Sequence, residues 1–279
     1  MKPPIQRTKF WSRRIKGLAA TICLLMGLAW IVRYLDQNLY DSSWFTGYVM
    51  FGAVIFLAAF HWRKKLSFLP ALGSASAWMQ VHIYVGLSTF FIFGFHVHWT
   101  IPNGPLEQVL AVVYLAVAFS GVYGLYLTRV LPKRLAMVKR QVVYEQIPRL
   151  RFELCDRARK AVLEGDGTDE TLARFYVNHV AEFLERPRGF AFAMNPSGRK
   201  CKRLISELIG LDRYLSQPHR ETSRSLMQLV REKDDLDYHH ALQSRLKIWL
   251  VGHIATTYSL LTFAVMHALL VHAYAGGWR

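Results

Sequence analysis

Apolar residues in this chain gather into long runs instead of alternating with polar ones. Five runs can be drawn, at 17–34, 44–60, 75–99, 107–128 and 248–274. A helix rising about 1.5 Å per residue needs roughly 20 residues to cross a hydrocarbon core of about 30 Å. Each run is close to that length, so each is expected to span a membrane. The stretch 131–246 is polar and charged. Its apolar residues recur at helical spacing, as Leu204, Ile205, Leu208 and Ile209 do, and as Leu226, Leu229 and Val230 do. Turn signals fall at 164–168, at 187–189 with 195–198, and at 217–219, which predicts helices near 134–162, 169–186, 200–215 and 220–246. No proline follows Pro218, so the last of these is free to continue into the fifth run.

The expected fold is therefore all-α. It is a polytopic bundle of five transmembrane helices with a helical cytoplasmic insert between the fourth and fifth. The divisions are a basic N-terminus (1–16), four spans (17–130), the insert (131–246), and a last span with its tail (247–279).

Charge sets the orientation. The chain carries 35 Lys and Arg against 19 Asp and Glu. Such an excess could mean nucleic-acid binding, but no groove-reading motif accompanies it. The insert is only mildly basic, with 22 Lys and Arg against 16 Asp and Glu. Elsewhere the positive charge lies beside the spans. Lys2, Arg7, Lys9, Arg13, Arg14 and Lys16 precede the first run, and Arg63, Lys64 and Lys65 follow the second. The fourth run ends into Arg129, Lys133, Arg134, Lys139 and Arg140, whereas loops 35–43 and 100–107 hold no Lys or Arg. The positive-inside rule then places the N-terminus and the insert in the cytoplasm and the C-terminal tail in the periplasm, as in a bacterial inner-membrane protein. Trp44, Trp62, Trp78, Trp99 and Trp249 fall at span ends, where interfacial aromatics belong. The first run is longer than a signal-peptide core and lacks a small-x-small site, so it is expected to remain as an anchor. Cys23, Cys155 and Cys201 form no C-x-x-C, so neither an iron–sulfur cluster nor covalently attached haem is encoded.

Two apolar runs each carry two histidines 14 residues apart: His82 and His96 in the third, His253 and His267 in the fifth. At about 100° per residue, 14 residues come within about 40° of whole turns, so each pair shares a helix face, about 21 Å apart along the axis. The third and fifth spans run in the same direction, and their histidines lie at equal depths. His82 can thus pair with His253 near the inner surface, and His96 with His267 near the outer one. Ionisable residues inside a membrane are costly and usually functional, and neutral imidazole is a good axial ligand for haem iron. A lone intramembrane histidine commonly just hydrogen-bonds a neighbouring helix; four at matched spacing and depth point to two haem b groups. Gly86, Ser88, Gly94, Gly252, Ala255 and Ala264 offer small side chains on these spans, and Phe91, Phe95, Tyr258 and Phe263 offer aromatic edges. His98 and His272 point away from their neighbouring ligands and, with Arg129, Arg245 and Lys247 at the inner ends of the spans, are candidates for propionate contacts. His61 reads as interfacial. His239, His240 and the run from Lys233 to Asp237 read as a solvated or partner-facing helix surface.

The two His-x13-His pairs, in this helix order, resemble the ferric reductase-like transmembrane domain that ferric reductases and NADPH oxidases share. The resemblance covers roughly 44–128 and 247–275. It implies two stacked b-type haems carrying electrons across the membrane, with the four histidines as axial ligands. Those enzymes continue into a flavin and nicotinamide module. This chain has no G-x-G-x-x-G and ends at Gly276-Gly277-Trp278-Arg279, so the expectation is an electron-transfer subunit of a larger oxidoreductase complex. Its expected partners are an iron–sulfur or flavin protein inside and a cytochrome c outside, with a quinone as alternative donor and the lipid bilayer around it. A self-contained quinol oxidase or ferric reductase is the alternative within redox proteins. A membrane scaffold or sensor with structural histidines is the alternative from another class.

Overall fold

The computed structural model describes residues 4–38, 40–65, 74–138, 142–164 and 169–274, with the side chains of 4–14 and 61–65 outside that description. Expectations about Lys2, Arg7, Lys9, Arg13, Arg14, His61, Trp62, Arg63, Lys64, Lys65, Lys139, Arg140, the turn at 165–168 and the tail 275–279 fall there. The described chain is all-α, with no strand among the described residues. Five helices are long and apolar enough to cross a membrane, and the chain is built as an integral membrane protein. They are α1 (Pro4–Gln37), α2 (Ser42–Lys65), α3 (Ala75–His96), α4 (Pro105–Leu135) and α10 (Gln217–Tyr274). Between α4 and α10 lie α5 (Ile147–Leu163), α6 (Glu170–Phe175), α7 (Ala181–Glu185), α8 (Phe190–Met194) and α9 (Arg199–Leu211).

The chain divides into two compact units, one formed by 1–125 with 250–279 and the other by 126–249. In the first unit the large apolar side chains turn outward: Leu24, Val112, Phe119 and Leu269 are all exposed. Water would penalise such a surface, whereas lipid tails accept it. Ser74 caps the start of α3, its hydroxyl accepting from the Ala77 amide. The end of α3 is unusual. His98 and Trp99 both take left-handed backbone angles (φ 49° and 56°), which cost energy outside glycine. The Trp99 amide donates to the Gly94 carbonyl at 2.9 Å, and the indole folds back where a Cβ on residue 94 would lie only 2.6 Å from it. Glycine at 94 therefore accommodates Trp99.

The second unit has the core of a water-soluble helical domain. Ile147, Leu154, Ala158, Leu172, Val180, Leu184, Leu208, Leu226 and Val230 are buried together. Its first helix begins at Ile147, well after the expected 134, because α4 itself continues to Leu135 and Pro148 favours a fresh start in the first turn of α5. The expected helix at 169–186 is interrupted by one wider π turn at Tyr176–Val180. Asp169 caps its start, accepting from the Thr171 and Leu172 amides. The last helix does run unbroken from Gln217 to Tyr274.

Candidate functional site

The first unit is organised in three levels, each built from the same four helices. On α3 and α10 the levels are seven residues apart, about two turns, which keeps successive residues on one face. His96, Thr89 and His82 form that stripe on α3, and His267, Leu260 and His253 form it on α10. Gly47, Val54 and Phe60 on α2 follow them in the opposite chain direction, as do Glu107, Tyr114 and Gly121 on α4.

At one end the His96 and His267 rings stand with centroids 6.4 Å apart and planes 87° to each other. Two imidazoles facing each other across one ion, with bonds of about 2.0 Å, would place their ring centroids about 6.3 Å apart, and the observed separation is compatible with that arrangement. The His96 ring is also oriented. Its Nδ1 lies 3.0 Å from the Ser43 carbonyl, which can only accept, so Nδ1 carries the proton and Nε2 keeps its lone pair. Thr46 Oγ1 lies 3.4 Å from the same nitrogen. Gly47 makes the room: a Cβ there would be 3.1 Å from His96 Cε1. Across the level, His267 Nδ1 is 3.9 Å from a Glu107 carboxylate oxygen, beyond a hydrogen bond but within ion-pair range. A Cβ on Gly104 would fall onto that carboxylate, so the glycine lets Glu107 fold back to this position.

At the other end His82 and His253 are close enough for their charges to interact. His253 Nδ1 is 3.1 Å from the Ser120 hydroxyl, and a Cβ on Gly121 would lie 3.7 Å from His253 Cε1. His82 packs against the Phe60 ring at 4.8 Å. Its Nδ1 is buried without a hydrogen-bond partner among the described residues. Buried polar atoms seldom stay unsatisfied without a reason.

Between the ends, Val54, Thr89, Tyr114 and Leu260 are each at least 96% buried. The Tyr114 hydroxyl donates to Thr89 Oγ1 at 3.1 Å, Thr89 donates to the Gly86 carbonyl at 2.8 Å, and Phe93 stacks on the Tyr114 ring at 4.5 Å. These buried side chains are uncharged and lie between the two histidine pairs.

Among the described residues no three or more His, Cys, Asp or Glu converge as a metal-binding group. The site offers pairs. A pair of imidazoles suits an iron whose other positions come from a macrocycle, and an orphaned ring nitrogen and glycine-lined approaches are compatible with haem b. It does not suit a closed protein cage, which needs about four ligands.

The other expected site residues lie elsewhere. His98 Nε2 is 2.8 Å from Ser43 Oγ. His272 Nδ1 donates to the Ala268 carbonyl at 2.7 Å, so its Nε2 accepts from the Tyr48 hydroxyl at 2.5 Å. Both are exposed at the His96–His267 end. Arg129 is exposed, Lys247 pairs with Glu145 at 2.8 Å, and Arg245 donates to the Met194 carbonyl; these partners belong to the second unit. Gly94 is filled by Trp99, and a Cβ on Gly86 or Gly252 would meet no other group within 4 Å among the described residues. The glycines that face imidazoles are Gly47 and Gly121, which attention to the histidine-bearing helices alone passes over. Their signal was available as spacing: 47 and 54 on α2, and 107, 114 and 121 on α4, repeat the seven-residue step of the histidine stripes.

Two readings of the insert need correction. His239 is 2% exposed, not solvated, and neither of its ring nitrogens has a partner among the described residues. Lys233 and Asp237 are also buried. They sit on the face of α10 that packs into the core, where Lys233 Nζ meets Asp237 Oδ2 at 2.6 Å and the Arg186 carbonyl at 2.9 Å. His240 stacks on Tyr144.

The chain matches no family model, no curated protein and no solved structure.

Proposed function

We propose that this protein is a di-haem b-type cytochrome that carries electrons across a membrane as a subunit of a larger redox complex. The observation that carries the reading is the pairing of four intramembrane histidines into two levels, one with its ring centroids 6.4 Å apart. His82 and His253 would hold one haem and His96 and His267 the other. When bound, haem b supplies one-electron redox chemistry at each level. The chain's own residues do the rest. Ser43 and Ser120 fix the orientation of His96 and His253. Gly47 and Gly121 leave space beside the imidazoles. Val54, Thr89, Tyr114 and Leu260 fill the level between them with buried, uncharged side chains.

The positive-inside pattern supports an N-terminus and insert in the cytoplasm and the His96–His267 level toward the periplasm of a bacterial inner membrane. The insert then suits an iron–sulfur or flavin partner, and the opposite face a cytochrome c or a quinone. The histidine spacing supports kinship with the ferric reductase-like membrane domain.

A reduced-minus-oxidised spectrum of the purified protein tests the reading. A b-type α-band and about two haems per chain by pyridine haemochrome are expected from the ligand count. His267→Ala should keep one haem and lose the other. Well-folded protein without haem overturns the proposal; so does a His267→Ala variant that retains both.

A further inference from the structure

Residues 188–198 form a loop with a pinned base and an apolar tip. Arg188 makes the base. Its guanidinium donates to Asp234 on α10, lies 3.2 Å from Asp237 Oδ2, and reaches the Ser197 carbonyl at 3.4 Å. Gly198 returns to the same level, where a Cβ would lie 3.4 Å from Asp234 Oδ2. Between these points α8 extends along α10, because Arg245 donates to the Met194 carbonyl at the end of α8. Arg245 stands about 12 Å beyond Asp237 along the helix axis, at about 1.5 Å per residue. The apolar run of α10 begins just after it, at 248. The tip of the loop thus points along α10 toward the start of a membrane-spanning run.

Phe190 and Met194 lie four residues apart and share one face of α8. They are 71% and 51% exposed. Phe192, between them in sequence, is covered instead by the Arg188 guanidinium, 4.2 Å from its ring centroid. The flanks of the tip are positive. Residues 186–203 hold six Lys and Arg and no Asp or Glu, whereas the insert as a whole holds 22 against 16. Arg186, Arg199, Lys200 and Lys202 are exposed. Large apolar groups rimmed by cations suit a phospholipid surface: the apolar groups enter the boundary between headgroups and acyl chains, and the cations meet anionic headgroups. The helix that holds the tip enters the bilayer itself, so such a surface lies in reach.

We infer that α8 docks on the surface of the bilayer, with Phe190 and Met194 at the headgroup boundary and Arg186, Arg199, Lys200 and Lys202 among anionic phospholipid headgroups. The loop then ties the insert to the membrane at a point of its own. None of the four paired histidines takes part, so the inference stands apart from the di-haem reading.

The test uses the full-length protein with Phe190→Cys in a Cys23→Ser background, labelled with a polarity-sensitive NBD dye. The Cys23→Ser protein alone gives the background from Cys155 and Cys201. Glu221→Cys in the same background is the control, about 40 Å from residue 248 along α10 at about 1.5 Å per residue. In vesicles of phosphatidylcholine with phosphatidylglycerol, emission at 190 should shift to the blue, rise severalfold over the control, and be quenched by lipids brominated on the upper acyl chain. In phosphatidylcholine alone the rise should be smaller, and high salt should remove most of that difference. Emission at 190 that matches the control overturns the inference. Equal emission with and without phosphatidylglycerol overturns the assignment of anionic headgroups. A blue shift that follows the protein-to-lipid ratio and resists bromine quenching would place a second copy of the chain on this face, and also overturns it. Hydrogen exchange without any label is the second measurement. In nanodiscs containing phosphatidylglycerol, the amides of 190–194 should exchange severalfold faster in the Phe190→Ser, Met194→Ser double variant than in wild type, with the rest of 126–249 unchanged. Equal exchange at 190–194 overturns the docking.

Discussion

At the scale of single residues, space beside the imidazoles is as constrained as the imidazoles themselves. A Cβ at Gly47 would come within 3.1 Å of His96, tighter than ordinary van der Waals contact, whereas one at Gly121 would sit at a comfortable 3.7 Å from His253. The two glycines should therefore respond differently. On the proposed di-haem reading, Gly47→Val should push His96 off its Ser43 carbonyl and leave one haem per chain, while Gly121→Ala should keep two; haem-to-protein ratios of the purified variants measure this. A second contrast concerns Cys201. Burial, the largest cause, pushes its thiol up to about 11, and its side chain is packed among the core of the second unit. Thiolate is the reactive species, so Cys201 should resist alkylation at about pH 8 in the native protein and react once the protein is denatured. Mass spectrometry of the labelled chain reads both states, and rapid native labelling would contradict the buried placement.

At the scale of elements, the seven-residue step aligns four helices into levels. Tyr114 occupies the middle one, bound to Thr89 and stacked on Phe93. Hydrogen bonds between membrane helices are worth about 0.6 kcal/mol on average. Thr89 keeps its own bond to Gly86 whether or not Tyr114 is present. Tyr114→Phe should accordingly cost only about 0.6 kcal/mol, while Tyr114→Ala opens a cavity and should cost about 3–5 kcal/mol. Thermal unfolding midpoints in detergent should fall slightly for the first and by many degrees for the second. The helix content, five spans and paired histidines were legible because length, charge and periodicity are one-dimensional signals. The partners that orient the histidines were not. Ser43, Ser120 and Glu107 stand far in sequence from the rings they face, and α2 and α4 carry no histidine in the three levels to draw attention. The start of α5 was also missed, since the apolar face of α4 continues past Arg129 into Leu131, which packs with Leu127 and Leu242.

At the scale of the whole molecule, two cores of different physics share one chain. The first unit turns apolar side chains outward, and the second buries them as soluble domains do. The second unit also buries charge. Asp237 is 2% exposed and takes Lys233 at 2.6 Å, Arg151 at 3.1 Å and Arg188 at 3.2 Å, while Arg188 also reaches Asp234 and lies over Phe192. One carboxylate thus answers three cations. Removing one partner of a buried ion pair costs about 3–5 kcal/mol, because the other charge is left uncompensated, whereas an apolar isostere for a buried ion is often tolerated. Asp237→Asn should therefore destabilise the second unit strongly. Lys233→Met should do so far less, since Arg151 and Arg188 still neutralise Asp237. The histidine levels draw on residues of 1–125 and 250–279 alone, so effects at sites without shared partners should remain separate. Limited proteolysis of the Asp237→Asn protein should cut rapidly within 126–249 while, on the proposed di-haem reading, the haem spectrum keeps its two-centre intensity. Parallel loss of haem and protease resistance would mean instead that the histidine levels need an intact insert, and that the chain folds as one cooperative body.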